Sequence, residues 1–331
     1  MHKMWKLVIV VNTFILLLLV LILAKPLQRS DLLSSTEDQE LNYGAQFLSP
    51  RVYAGERVPP LPMNYAPLKE YLRQTIPPNL NFSLYLQDLN TGASMGIEEY
   101  RRFDPASLNK LMLAVVIMKQ VELGNLDLEQ SVELRKVMGY GDLYLSPESH
   151  LPLQLLLKEM LEDSDNTAFF SLVPLVDLEL TQKVLQYLDL DDPESLEVVS
   201  QEGAHYMLTP RSMFNIYHSL YFSTLLTPEH SGLILYHLSQ NSNFNVKERV
   251  KLSADKIIAH KTGAFYSEGK QEFRDCGILY NYPETALFYC IMFQGLAEEE
   301  AKETAAGAIK EIFDYYLAKK KDITLTYLSP Y

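Results

Sequence analysis

Pro105-Ala106-Ser107-Leu108-Asn109-Lys110 runs without a break into Leu111-Met112-Leu113-Ala114-Val115-Val116-Ile117-Met118. So continuous an apolar run predicts a helix sunk in the core, with Pro105 fitting its first turn. A serine and a lysine three residues apart on a helix share a face, one turn along. A serine hydroxyl is a poor nucleophile until a base takes its proton. A lysine serves as that base once burial or a neighbouring cation lowers its ammonium pKa. The positive end of the helix dipole would also point at Ser107. The stretch therefore reads as a nucleophile, Ser107, paired with its base, Lys110. On its own, the S-x-x-K spacing also arises by chance on amphipathic helices.

Two further tripeptides stand downstream, Ser164-Asp165-Asn166 and Lys261-Thr262-Gly263. Each has a plain structural alternative. Ser, Asp and Asn all cap helix N-termini, and a strand glycine marks a place where a neighbour comes close. Taken together, S-x-x-K, S-D-N and K-T-G in this order are a signature of acyl-transferring serine enzymes. The separations are 57 residues from Ser107 to Ser164 and 97 from Ser164 to Lys261. With Pro105-Ala-Ser107, Ser164-Asp-Asn-Thr-Ala168 and His260-Lys-Thr-Gly263, the sequence resembles the class A β-lactamases and penicillin-binding D,D-peptidases over about residues 64–319.

That resemblance implies an α/β (α+β) fold, an antiparallel five-stranded sheet flanked by helices plus an all-helical lobe. It makes Ser107 the nucleophile, Lys110 its proton partner, Ser164 a proton shuttle to the leaving nitrogen and Asn166 a ligand for the substrate amide. Lys261, Thr262 and Gly263 would bind substrate, the first two through its carboxylate. The backbone N–H groups of Ser107 and Ala264 would form the oxyanion hole. Arg274 follows by a hairpin's length and resembles an arginine that some relatives aim at the carboxylate, a role a guanidinium fork suits; the alternative is an exposed strand charge. Tyr140 and Tyr144 fall where relatives place an aromatic wall.

One family element is altered. The E-x-x-L-N segment, whose glutamate orients the deacylating water, does not occur. Its nearest counterpart is Asp192-Pro-Glu194-Ser-Leu196, counted back from Thr209-Pro210. Asp192 or Glu194 would have to substitute, although Asp-Pro is also a plain helix start. The resemblance therefore implies a serine hydrolase that opens a β-lactam amide through an acyl-enzyme. The alternatives are a D,D-peptidase acting on D-Ala-D-Ala ends of peptidoglycan stem peptides, and a catalytically silent penicillin-recognising sensor or scaffold.

Periodicity outlines the rest. Phe82 to Asp88 alternates as a strand, Asn90-Thr-Gly92 turns, and a second strand leads toward Phe103. A helical middle runs from Ser107 to about Leu238, followed by strands at Lys256–Phe265, Cys276–Tyr280 and Ala286–Phe293, and a helix from Ala297 to Ala318. Both ends of the domain thus supply the sheet. Asn281-Tyr-Pro-Glu284 reads as a turn, and pairing about it sets Cys276 opposite residue 289 or Cys290. In the second register the only two cysteines of the chain face one another at disulfide range; the alternative is two small buried thiols.

Leu7 to Ala24, 18 residues preceded by Lys3 and Lys6, spans roughly 27 Å as a helix, most of a bilayer core. The positive start places the residues after this span outside the cytoplasm, at the cell surface or in a periplasm. Ile22 is bulky where a cleavage site wants a small residue, which favours an uncleaved membrane anchor over a removed signal. Residues 25–63 have a tether's composition, 64–319 form the hydrolase domain and 320–331 a tail. A net charge of −13 disfavours nucleic acid as a partner. Seven scattered histidines without His/Cys spacing indicate no metal, and no phosphate loop indicates a cofactor.

Overall fold

The computed structural model describes residues 63–77, 80–136, 141–190, 207–267, 270–281 and 285–328. Helix α1 (Ala66–Thr75) is followed by the hairpin of β1 (Asn81–Asp88) and β2 (Ser94–Ile97). A tight helical turn, Ala106–Leu108, leads into α2 (Asn109–Glu122). A small ribbon, β3 (Ser131–Glu133) with β4 (His150–Pro152), precedes α3 (Leu153–Glu162) and α4 (Asn166–Leu172). Then come α5 (Leu178–Tyr187), α6 (Pro210–Tyr221), α7 (Pro228–Ser239) and α8 (Val246–Arg249). Strands β5 (Ile257–Ser267), β6 (Lys270–Asn281) and β7 (Thr285–Leu296) return to the sheet before the terminal α9 (Glu298–Leu328).

The sheet order is β2-β1-β7-β6-β5, antiparallel throughout. The two ends of the domain therefore interleave, as expected, and β5 with its K-T-G motif is left as an edge. Apolar side chains leave both faces of the sheet. Leu84, Leu86, Tyr289, Ile291 and Phe293 pack on α1 and on Ala301, Ala305, Ile309, Ile312 and Phe313 of α9. Tyr85, Ile278, Phe288 and Met292 pack on the helical lobe, whose centre is α2. Residues Leu111 to Met118 of α2 are all buried, which is what an all-round apolar helix requires. At about 1.5–3 kcal/mol for each large side chain removed from water, this helix is the principal anchor of the lobe.

Several boundaries differ from the sequence reading. Helix α2 begins at Asn109, so Pro105 and Ser107 lie in the preceding tight turn, where Ala106 takes φ 47°. The second strand ends at Ile97, and Phe103 instead makes a lone bridge with Leu208. Strands β5, β6 and β7 outrun their apolar cores because backbone pairing continues through polar ends such as Lys270-Gln-Glu272. Helix α9 continues past Ala318 to Leu328, through what reads as a tail, because lysines are good helix formers and the next proline is Pro330. Cys276 stands opposite Cys290 in the β6–β7 register, both are fully buried, and the structure joins them in a disulfide. The anchor and tether expected in residues 1–63 fall outside the described residues up to position 62. Among the described residues no helix is long and apolar enough to cross a membrane.

Candidate active site

The Ser107 turn is held by its own neighbours. Asp104 Oδ1 accepts the Ala106 N–H at 2.8 Å, and Pro105 O accepts the Leu108 N–H at 3.0 Å. The positive φ of Ala106 is a strained position for a non-glycine residue, of the kind that collects at functional turns. Gly263 backs directly onto this turn: a Cβ there would lie 3.0 Å from Pro105 O and 3.4 Å from Ser107 N. The neighbour that requires glycine in K-T-G is thus the nucleophile turn itself. Ala264, next along the edge strand, is exposed and Ser107 is half-buried.

Lys110 joins the Ser107 turn to the S-D-N segment. Its ammonium, on a side chain 3% exposed, donates to Ser107 Oγ at 3.1 Å, Ser164 Oγ at 3.2 Å and Asn166 Oδ1 at 2.7 Å. Three donors meet three acceptors, so the charged amine is saturated. Burial lowers its pKa to about 8, against the opposing charge of Asp165. The Phe169 ring, 5.7 Å from the ammonium, lies alongside.

The residues of S-D-N divide between a helix cap and contacts to Lys110. Asp165 caps α4 by accepting the Ala168 N–H at 2.8 Å, while Ser164, at φ 58°, and Asn166 turn to Lys110. The second oxygen of Asp165 accepts the Leu143 N–H at 3.1 Å and so ties down the turn Asp142–Leu145, which exposes Tyr144 and Leu145. Gly141, at φ 99°, sits so close to Asp165 that a Cβ would overlap its carboxylate. Tyr140 lies outside the described residues.

Lys261 is fully buried, and its Nζ has no hydrogen-bond partner among the described residues. Burial, then the charge of Lys110, drives its pKa well below the ordinary range, with Asp163 and Asp275 opposing. Thr262 donates its hydroxyl to Asp275 Oδ1 at 2.9 Å, and His260 Nδ1 lies 2.8 Å from the same oxygen. His260 is buried in the strand. Arg274 is corrected by the structure. It lies opposite Gly263, is fully buried and is bound to Glu272 through Nη2, so it is not an exposed strand charge. The deacylation positions Asp192 and Glu194 lie outside the described residues. Among the described residues no cluster of His, Cys, Asp or Glu could hold a metal.

Sequence reasoning missed Asp104, Phe169, Asp275 and the second role of Asp165. Asp104 had a local signal, an Asx residue two before a turn amide. Asp275 had none, because only the β5–β6 register brings it to Thr262.

A family model described as the beta-lactamase enzyme family matches residues 67–316. No curated protein matches. Among solved structures, PBP-A superposes with a TM-score of 0.67 at 19% identity, covering 80% of this chain and 100% of that one. A mutant of PBP-A, as its acyl-enzyme complex with penicillin G, gives 0.65 at 19%, covering 79% and 98%. A beta lactamase from Xanthomonas campestris gives 0.61 at 22%, covering 75% and 95%. At such identities the likeness is one of fold.

Proposed function

The chain belongs to the beta-lactamase enzyme family, and within it we propose that this protein is a membrane-anchored, extracytoplasmic serine hydrolase that opens β-lactam amides through an acyl-enzyme on Ser107. The observation that carries the reading is the convergence of Ser107, Ser164 and Asn166, from two distant segments, on the single buried amine of Lys110. As a neutral amine, Lys110 takes the proton of Ser107 while Oγ attacks the carbonyl carbon. The oxyanion forms against the N–H groups of Ser107 and Ala264. Collapse breaks the C–N bond, and the proton passes through Ser164 to the leaving nitrogen, which leaves the acyl group as an ester on Ser107. Lys261, whose buried Nζ has no hydrogen-bond partner among the described residues, is the group left to donate to the substrate's acidic group. Water then hydrolyses the ester, with Asp192 or Glu194 as its base.

Residues 1–24 act in this proposal as an anchor, 25–63 as a tether and 64–319 as the catalytic domain. A second reading, a D,D-peptidase working on peptidoglycan stem peptides, is favoured by one feature: the absence of E-x-x-L-N. Without an efficient water base the acyl-enzyme would persist. Fluorescent penicillin followed over time separates the readings. Label that turns over supports the β-lactamase, persistent label the peptidase, and no label a silent module. Ser107→Ala should remove the adduct without unfolding the domain; an adduct surviving in that variant, seen by intact mass, would refute the assignment. If turnover is fast, Asp192→Asn and Glu194→Gln show which carboxylate sets the lifetime.

A further inference from the structure

Behind the K-T-G strand lies a polar cluster that the proposed chemistry does not use. Asp275 on β6 is fully buried, paired directly across from Thr262 on β5. Its Oδ1 takes the Thr262 hydroxyl at 2.9 Å and faces His260 Nδ1 at 2.8 Å. Its Oδ2 takes the Tyr289 hydroxyl from β7 at 2.6 Å. Burying a carboxyl in a sheet core is costly unless donors surround it, and here the flanking strands β5 and β7 supply them. The satisfied carboxyl fixes the Thr262 hydroxyl in one orientation, proton inward, because turning it toward the cleft would remove one donor from a buried charge. A hydroxyl has a single proton. What Thr262 can offer toward the cleft is therefore lone pairs.

We propose that Asp275 is a positioning residue that commits the Thr262 proton to the sheet interior, so that Lys261, not Thr262, donates to an anionic substrate group and Thr262 acts toward substrate only as an acceptor. This deepens the hydrolase reading and rests on it for the substrate. Two structural facts agree. Arg274, the other cation near K-T-G, pairs with Glu272 through Nη2. Asp275 is also one of the two anions whose charge favours the protonated form of Lys261 from across the strand. The carboxyl thus opposes the loss of charge at Lys261 and withholds the threonine that would otherwise donate.

The test compares a penicillin with its methyl ester, measuring acylation (kcat/KM) of the full chain for each. In Thr262→Val the acid-to-ester preference should stay within about threefold of wild type, whatever happens to the common rate, because the valine removes no donor to the carboxylate. A fall of about tenfold or more in that ratio, confined to the acid, would show Thr262 donating to the substrate and overturn the proposal. Thr262→Ser, which restores the hydroxyl, should return the common rate to wild type. A readout independent of activity uses melting temperatures of Thr262→Val, Asp275→Asn and the double variant. Non-additive losses are expected for groups sharing one bond; strictly additive losses would mean that Thr262 and Asp275 are not coupled and would also overturn it. Failure of the wild-type chain to form any adduct would instead refute the hydrolase reading, and the melting comparison would still decide the positioning role.

Discussion

The chemistry of the site turns on one amine. Lys110 is held to about 8 by burial, so its proton-accepting form grows as pH rises through that value. The acylation rate (kcat/KM) should therefore climb through about pH 8 and level off above it, since this parameter reports the free enzyme. A rate that stays flat from about pH 6 to about pH 9.5 would place the base elsewhere. Gly263 tests the neighbouring contact. A methyl at this position would meet a backbone carbonyl, Pro105 O, at 3.0 Å, and backbone yields only by moving the turn. Gly263→Ala is expected to slow penicillin labelling about tenfold or more, because small misplacements of a nucleophile are costly. The domain should still melt cooperatively, and an unchanged labelling rate would mean that the turn tolerates displacement.

Between elements, polar ties set the angles that apolar packing leaves free. Glu122 at the end of α2 accepts the Thr227 N–H at 2.6 Å, the Lys119 ammonium at 2.9 Å and faces His230 Nδ1 at 3.1 Å, so it joins α2 to the start of α7. Burial alone would raise its pKa, but these bonds bring it below the ordinary value. A carboxylate with a depressed folded pKa stabilises the fold above its unfolded pKa and loses that contribution as pH falls through the folded one. Glu122→Gln should cost about 1–2 kcal/mol at neutral pH in urea unfolding, with the difference shrinking below about pH 4. An equal cost at both pH values would mean that the carboxylate charge plays no part. The β6–β7 hairpin carries the second tie, Cys276 to Cys290. Alkylating the denatured, unreduced chain should add no mass, and two added groups would show free thiols. With its short loop the bond is worth around 3 kcal/mol on an entropic model.

At the scale of the whole molecule, the proposed anchor makes a prediction about location. The full chain should sediment with membranes and need detergent for release, and removal of residues 1–24 should free a labelling-competent protein. A soluble chain whose mass shows a missing N-terminus would mean a cleaved signal. The sequence by itself determined the identity of the three motifs, the interleaving of both ends of the domain in one sheet and the buried central helix. Each of these is written in local order: residue spacing, period and a continuous apolar run. Counting about a turn brought the Cys276–Cys290 pairing down to two registers, and the sheet chose between them. Only the tertiary structure decided that S-D-N divides its work, with Asp165 capping α4 while its neighbours face Lys110. It alone showed Arg274 buried against Glu272, because a charge on a strand looks the same in sequence whether water or Glu272 receives it. Likewise Asp275 has no signal of its own among its neighbours. Its partners lie on the two flanking strands, and a buried carboxyl is recognised only once the register of the sheet shows which donors surround it.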